Sequence, residues 1–546
     1  MEKKANDILN CWQEEDRQII QKNFEVFRKL IAQARDYTQR GKYDTGAVYA
    51  EIAAIHALLQ HSGLFVSAEL EQILLTIGRK TIRSSRFPRN SSVPAESPRN
   101  ILHVSTNVST YSGIPRLIRR WIQQDTQRSY SLALTTQAPD EIPKALRDAV
   151  LNSRGKIHVL NERINTVVAR AKKLREIAAN ADVVVLHAWE HDVIPTIAFA
   201  NKEQCPPVIY VNHGDHWFWL GAGISDVVAN LRESGMRLSQ ERRGIETERN
   251  MLLPTVLEPA HRQLSRTKAK RQIGINEKSV LLLSIARAPK YRTIDGINFA
   301  DAHVPLLKQY EQAELLVVGP NDSEDWSAAI EQTQGRIKVL GQTEDTAVFY
   351  QAADIYVDSF PFVSITSLLE AGSYGVPLVS RLFHSNACEI FGADMPGLTG
   401  NLIRVRELKE YTKVLSHLVE DEEFRLSLGD ATRRKIEDTH MGSNWLRSLE
   451  NLYMRAATLP KITVTSASIE QMSFDEPDLL LPRIFGNKYD LDGIILSRLK
   501  IMPFEEQLRL VTQMAKNHSW RYRVGLLLPK FCWRYYSSIR SFFSII

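Results

Sequence analysis

Two successive series of short apolar runs, separated by helical stretches, constrain the fold of this chain most strongly. The first series contains the runs ILHVS, SLALTT, KIHVL, DVVVLHA and PVIYVNH, and the second contains SVLLLSIA, AELLVVGP, GRIKVLG, ADIYVDSF and VPLVSR. Strands that are buried on both faces and alternate with helices form parallel sheets. The sequence therefore predicts two consecutive α/β domains, a first over residues 101–259 and a second over residues 260–455.

The remaining segments differ in character from these two domains. Residues 1–85 show only helical periodicity, so we expect an α-helical amino-terminal unit. Residues 86–100, RFPRNSSVPAESPRN, contain three prolines and three serines and little to bury, which indicates a linker. Residues 456–546 lose the regular alternation and are interpreted as a carboxyl-terminal appendage.

Composition and charge restrict the class of protein. The four cysteines are far apart in the sequence, which favours neither a zinc site nor a disulfide framework and fits a reducing compartment. The amino terminus lacks the apolar core of a signal peptide, and nowhere do about 18 uncharged apolar residues run together. A net charge of +6 over 546 residues argues weakly for nucleic acid. We expect a cytoplasmic protein that does not bind nucleic acid.

The stretch DSFPFVSITSLLEAGSYGVPLVS, residues 358–380, passes from a strand end through a helix to another strand. If Ser364 caps the helix, three backbone N–H groups point outward at its positive end, where phosphate binds readily: those of Ile365, Thr366 and Ser367. Glu370 lies one turn after Thr366 on the same helix face. Its carboxylate is therefore placed to accept hydrogen bonds from ribose hydroxyls.

This stretch resembles the nucleotide-binding segment of GT-B-type glycosyltransferases. The resemblance implies that Glu370 binds the ribose and that Thr366 and Ser367 contact the diphosphate. It also implies two facing Rossmann-like domains. The glycogen-synthase-like branch of the family has a second glutamate eight positions before this one, where the chain has Phe362, and the phrase DSFPF looks more like the O-GlcNAc-transferase-like branch.

Two further stretches resemble GT-B motifs. SIARAPKYR is similar to the family's Arg/Lys pair, whose cations neutralise the diphosphate leaving group. Arg287 takes the place of the arginine, and either Lys290 or Arg292 takes the place of the lysine. STYSGIPRLIRRWI resembles the loop after the first strand of the amino-terminal domain, where Gly113 would let the backbone approach the ligand.

Histidines follow two strands of the predicted first domain, His187 in VVVLHAWEHD and His213 in VIYVNHGDHWFW. A strand-terminal imidazole facing a cleft binds a sugar or acts as a base near neutral pH. Asp215 lies close to His213 in sequence, and an acid beside a histidine fixes its tautomer. The Asp490-Leu491-Asp492 triplet resembles a metal-binding Asp-x-Asp but occurs in the late appendage, so we interpret it as a turn.

From the residues and the resemblance we expect a metal-independent glycosyltransferase without a cofactor. It would move a hexosyl or N-acetylhexosaminyl group from a nucleoside-diphosphate sugar, such as a UDP-sugar, to a saccharide, lipid-linked or protein acceptor. A GT-B-like nucleotide-sugar 2-epimerase and a catalytically inactive GT-B scaffold are the alternatives.

The last 17 residues, KFCWRYYSSIRSFFSII, predict an amphipathic helix over Lys530–Ile546. At helical spacing, aromatic and aliphatic side chains share one broad face, and the basic and serine side chains gather opposite. Such a helix lies on an anionic membrane surface, which predicts a peripheral contact with the inner face of a membrane. The alternative is that the same face packs on the enzyme's own core.

Overall fold

The structure of the protein is a computed structural model. It describes residues 2–82, 98–109, 113–137, 141–162, 166–294, 296–320, 326–343, 345–382, 384–462, 472–485 and 490–513. Within these residues, no helix is both long enough and apolar enough to cross a bilayer.

The amino-terminal unit consists of three helices, as its periodicity predicts: α1 (Glu2–Gln39), α2 (Tyr43–Leu59) and α3 (Ala68–Thr81). Twelve of the 17 residues of α2 are buried, because α2 is apolar on all sides and lies inside the unit. The unit shares one hydrophobic core with the first sheet, in which Ile52 and Leu74 pack with Val184 and Ile197. The helices are therefore part of the first domain's core.

The first domain contains a seven-stranded parallel sheet in the order β3-β2-β1-β4-β5-β6-β7. Its strands are β1 (Asn100–Ser105), β2 (Ser129–Leu134), β3 (Ile157–Val159), β4 (Val183–His187), β5 (Val208–Asn212), β6 (Val227–Asn230) and β7 (Asn250–Leu252). Its helices are α4 (Gly113–Gln124), α5 (Lys144–Asn152), α6 (Val167–Ala178), α7 (Val193–Ala198) and α8 (Glu233–Arg243). Successive strands are added towards one edge of the sheet from β1 to β3 and towards the other edge from β4 onward. The strand order therefore reverses between β1 and β4, which is where ligands bind in open α/β sheets.

The second domain contains a six-stranded parallel sheet in the order β10-β9-β8-β11-β12-β13. Its strands are β8 (Val280–Ile285), β9 (Ala313–Val318), β10 (Ile337–Leu340), β11 (Ile355–Val357), β12 (Leu378–Arg381) and β13 (Leu402–Val405). Its helices are α9 (Arg266–Gln272), α10 (Val304–Gln309), α11 (Ser327–Gln332), α12 (Ala347–Ala352), α13 (Ile365–Ser373), α14 (Leu408–Glu420) and α15 (Glu422–His440). The equivalent reversal lies between β8 and β11. All ten predicted strands are present, and the prediction of two parallel-sheet domains is confirmed.

Helix α16 (Gly442–Thr458) corrects the predicted end of the second domain at residue 455. Its apolar face packs in the core of the first domain, where Trp445 and Tyr453 lie with Trp121. The Trp121 indole N–H donates to the Tyr453 hydroxyl over 3.0 Å, and the Trp445 indole N–H donates to the Pro254 carbonyl over 2.8 Å. The chain therefore returns to the first domain after completing the second.

The appendage packs against the body of the protein through α17 (Glu476–Phe485), α18 (Leu491–Arg498) and α19 (Phe504–Gln513). Ile494 and Leu510 belong to the core of the amino-terminal unit. The Asp490 carboxylate accepts from the Gly493 N–H over 2.8 Å and caps α18, so the interpretation of this triplet as a turn was wrong. Residues 530–546 fall outside the described residues, and the membrane helix stays a prediction.

Candidate active site between the two domains

The carboxyl ends of β8 and β11 lie side by side at the reversal point of the second sheet. Lys290 follows β8, and its ammonium donates to the Val363 carbonyl over 2.7 Å. Asp358 follows β11, and its carboxylate accepts from the Ser364 backbone N–H over 3.0 Å. Both side chains therefore hold the turn that leads into α13, while Arg287 is exposed on the same loop as Lys290.

Helix α13 begins at Ile365, where the sequence predicts it, but its amino-terminal cap differs from the prediction. Ser364 is at the cap position, yet its side chain accepts no backbone N–H of the helix. Its hydroxyl lies 3.3 Å from the Ser367 hydroxyl instead. The Ser364 side chain thus leaves the N–H groups of the first turn to other acceptors, which keeps this helix end open to an anion.

Burial shifts the pKa values of the two side chains that follow the strands, Asp358 and Lys290. Burial raises the pKa of the Asp358 carboxyl above its usual range, and burial together with the nearby Arg287 cation lowers the pKa of the Lys290 ammonium. Each charge favours the other, since their signs are opposite. An anion that binds beside Lys290 would add to this stabilisation and keep the ammonium protonated.

The structure separates the two candidates for the family's lysine. Lys290 points at the turn before α13, as described above. The Arg292 guanidinium donates to the carbonyls of Arg483 and Ile484, over 3.3 and 3.4 Å, near the carboxyl end of α17. Arg292 therefore fastens the appendage, and Lys290 is the one of the two that lies against α13.

Glu370 is buried and bridges the two domains. Its carboxylate accepts from the Arg120 guanidinium over 2.6 Å and from the Tyr350 hydroxyl over 3.2 Å, and Arg116 lies 3.7 Å away. Arg116 and Arg120 are one turn apart on α4 of the first domain. These groups line an interdomain cavity of about 230 Å³, together with Glu258, Asp345 and Tyr374.

Gly113 begins α4 and faces the start of α13. A Cβ atom added at Gly113 would lie 3.9 Å from the Thr366 hydroxyl, with no other described atom within 4 Å. The glycine loop of the first domain and the helix start of the second are therefore neighbours. The structure brings together Gly113, Thr366 and Glu370, which sequence reasoning selected from separate motifs.

The two predicted histidines form part of a chain of three imidazoles. His187 Nδ1 lies 2.9 Å from His213 Nε2, and His187 Nε2 lies 2.8 Å from His103 Nδ1. His187 is fully buried and both its ring nitrogens are engaged, so the expectation that it meets a substrate directly was wrong. His213 is partly exposed at the end of the chain. His103 was missed, although a histidine inside the apolar strand ILHVS is a signal that could have found it.

Burial keeps all three imidazoles neutral. It lowers the pKa of His103 to about 3, that of His213 to about 4, and that of His187 well below its usual value, where the neighbouring histidines lower it further. Each ring therefore carries one proton at neutral pH.

Because His103 stays neutral in the folded protein, the free energy of unfolding should depend on pH. The variant His103→Asn lacks this contribution and serves as the reference. Between pH 6.5 and about 3 the unfolded chain protonates His103 while the folded chain does not, so the wild type loses stability as pH falls. Relative to the variant, we expect its free energy of unfolding to fall by about 1.4 kcal/mol per pH unit below about 6.5. Denaturant unfolding of both proteins across this range measures the difference, and parallel pH profiles would contradict the prediction.

Asp215 pairs with other partners than His213. The Arg232 guanidinium donates to its carboxylate over 2.6 and 2.8 Å, and His216 Nδ1 lies 3.1 Å from it. Arg232 is fully buried and also donates to the Ile390 and Gly392 carbonyls of the second domain, over 2.7 and 2.6 Å. This arginine joins the two domains, and no sequence motif indicated it.

Comparison with known proteins finds a match to one family model within the second domain. Residues 265–435 match the model of the family described as glycosyl transferases group 1. A D-inositol 3-phosphate glycosyltransferase of Corynebacterium aurimucosum is 25% identical over 211 residues, which cover 35% of this chain and 47% of that protein. The chain thus spans about half the length of this curated relative.

Solved structures resemble about two thirds of the chain. Anabaena HepE in complex with UDP-glucose aligns with a TM-score of 0.51 at 13% identity, over 66% of this chain and 100% of that one. A glycosyltransferase from Rickettsia africae aligns with a TM-score of 0.50 at 12% identity, over 66% and 99% of the two chains. The chain has the GT-B fold.

The candidate residues fall into two groups, those inside the segment that matches the family model and those outside it. Lys290, Thr366 and Glu370 lie within the segment that matches the family model. Gly113 and His213 lie outside it: Gly113 is placed by its approach to Thr366, and His213 by its position after β5 and its contact with His187. Among the residues that the structure describes, no group of three or more histidine, cysteine or acidic side chains is arranged to hold a metal ion.

Proposed function

We propose that the protein is a glycosyltransferase that uses a nucleoside-diphosphate sugar as donor. The observation that carries the proposal is the meeting of Lys290, the open start of α13 and the Glu370 carboxylate along one side of the cleft, with Gly113 opposite. A cation, a set of backbone donors and a carboxylate are the groups needed for a diphosphate and a ribose.

The proposed chemistry depends on stabilising the leaving group. As the sugar departs, negative charge develops on the diphosphate, and fixed cations and helix N–H groups stabilise that charge in the transition state. Lys290, Arg287 and the first turn of α13 take this role. Because these groups supply the positive charge, we also propose that the donor binds without a divalent metal.

Glu370 would bind the ribose by exchanging part of its present contacts. One carboxylate oxygen now accepts from Arg120 and the other from Tyr350. A ribose in the adjoining cavity would donate its hydroxyls to the same oxygens. We place the transferred sugar and the acceptor across the cleft on the first domain, near His213.

UDP is the first nucleotide to test, because HepE was solved with UDP and with UDP-glucose. We expect UDP to bind in calorimetry with a chelator present, and GDP and ADP serve as comparisons. Absence of binding by all three would contradict the proposed function, and binding only after added divalent metal would contradict metal independence.

Glu370→Gln is expected to weaken nucleotide binding roughly tenfold or more, because hydrogen bonds to a charged group contribute about 1.5 to 3 kcal/mol. Glu314→Gln is the matched control, since Glu314 is an acid of the same domain that pairs with Lys338 at β9 and β10, away from the cleft. Equal affinities of the two variants would remove Glu370 from the nucleotide site.

Transfer is tested by release of free nucleotide from the donor. The reaction is run without acceptor and then with saccharide, lipid-linked and protein fractions of a cell extract. The fraction that accelerates release identifies the acceptor class. Nucleotide binding without release in any fraction would favour an inactive scaffold over a transferase.

A further inference from the structure

The three-histidine chain runs from the core of the first domain to the carboxyl edge of its sheet, the edge at which ligands bind in open α/β sheets. It begins at His103 in β1, continues through His187 at the end of β4 and ends at His213 after β5. His103 Nε2 is buried and has no hydrogen-bond partner in the described part of the protein. At the other end, His213 is partly exposed, and its Nδ1 is the ring nitrogen that takes no part in the chain.

The proton positions along this chain are linked. A neutral imidazole has one N–H donor and one lone-pair acceptor, and each contact in the chain needs one of each. If His103 carries its proton on Nε2, His187 and His213 must carry theirs on Nε2 too. If His103 carries its proton on Nδ1, the other two are protonated on Nδ1. The buried ring therefore decides whether His213 offers a lone pair or an N–H to the cleft.

The surroundings of His103 favour a proton on Nε2. Its ring lies 5.4 Å from the Trp121 ring at 85° and 5.3 Å from the Tyr130 ring at 31°. The Trp121 indole N–H donates to Tyr453, and the Tyr130 hydroxyl donates to Asp125. A lone pair on Nε2 would find no donor there, whereas an N–H would lie among aromatic rings, whose π electrons are weak acceptors.

We propose that His103 is a positioning residue that fixes His213 with its proton on Nε2 and its lone pair on Nδ1. The site then presents an acceptor to a hydroxyl group of a bound substrate. That substrate assignment rests on the proposed function. The proton positions do not, because they follow from contacts within the protein alone.

Nuclear magnetic resonance of the full chain with labelled histidines tests the proton positions without substrate. The ring carbon and nitrogen shifts distinguish the two neutral tautomers, and substitution of each histidine assigns its signals. We expect the Nε2–H tautomer at His103, His187 and His213 in the wild type. The Nδ1–H tautomer at His213 would overturn the proposal, and this measurement requires no variant of His103.

Two variants test whether His103 sets the tautomer. Asparagine places its side-chain oxygen near the position of Nδ1, so His103→Asn should keep an acceptor for His187 and leave the tautomer of His213 unchanged. His103→Phe fills the space without an acceptor and should populate the other tautomer. An unchanged tautomer of His213 in a folded His103→Phe protein would overturn the positioning role.

Turnover is a second measurement of the positioning role of His103. Nucleotide affinity distinguishes a failure of that role from a failure of the proposed function. We expect kcat to fall about 10- to 100-fold in His103→Phe, as when the partner that orients a histidine is lost, with recovery in His103→Asn. UDP affinity should match the wild type in both variants, because Lys290 and Glu370 are untouched. Loss of kcat in both variants alike would indicate a packing defect and count against positioning. A wild type that binds no nucleotide would contradict the proposed function and leave the tautomer result standing.

Discussion

Lys290→Met is expected to lower turnover about 100- to 1000-fold. Removing one preorganised donor to developing negative charge has an effect of this order. Methionine keeps an apolar stem of similar length, so the packing of the loop over Phe362, whose ring lies 5.1 Å from the ammonium, should persist. Initial rates of nucleotide release at saturating donor measure the change.

Arg292→Ala is the comparison for this prediction. Sequence spacing left Lys290 and Arg292 as equal candidates, and the structure directs Arg292 to the carbonyls of α17. We expect Arg292→Ala to change turnover much less than Lys290→Met and to lower thermal stability slightly. A larger loss of turnover in Arg292→Ala would reverse the assignment of the two cations.

Arg232→Met is expected to destabilise the protein by about 3 to 5 kcal/mol. Arg232 is fully buried, and its loss leaves the Asp215 carboxylate as an uncompensated buried charge. It also leaves two buried carbonyls of the second domain without their donor. The midpoint of thermal unfolding should fall by roughly 6 to 20 °C, from about 2 to 4 °C per kcal/mol for domains of this size.

The double variant Arg232→Met with Asp215→Asn separates these causes. If the stranded charge accounts for most of the loss, removing the acid should restore part of the thermal stability. If the double variant is no more stable than Arg232→Met, the contacts to Ile390 and Gly392 dominate. An unchanged midpoint in Arg232→Met would contradict the role of Arg232 between the domains.

The apolar runs predicted ten strands because each run is long enough to be buried on both faces. Three strands were missed, β6, β7 and β13, because they are short and contain polar or charged residues such as Asn230, Asn250 and Arg404. Their register comes from a neighbouring strand already in the sheet. Helix α16 carries apolar residues at helical spacing, but periodicity does not tell which sheet a helix covers.

The candidate site likewise contains residues that local sequence predicts and residues that only the folded structure brings together. Glu370 and Thr366 were predictable because helix spacing places them one turn apart within a recognisable motif. Their partners were not, since Arg120 reaches Glu370 across 250 positions of sequence and Arg232 meets the second domain only when both sheets are packed. His103 gave a local signal, but its significance depends on two strands that lie beside β1 only in the folded sheet.

The return of α16 to the first domain has a consequence for synthesis on the ribosome. Trp121 of the first domain needs Trp445 and Tyr453 to complete its surroundings, and the whole second domain is translated before them. At about 5 to 20 residues per second, the interval of about 200 residues after β7 takes roughly 10 to 40 seconds. During that time the nascent first domain exposes an apolar surface, so chaperone binding should peak before residue 442 emerges and decline once α16 has docked.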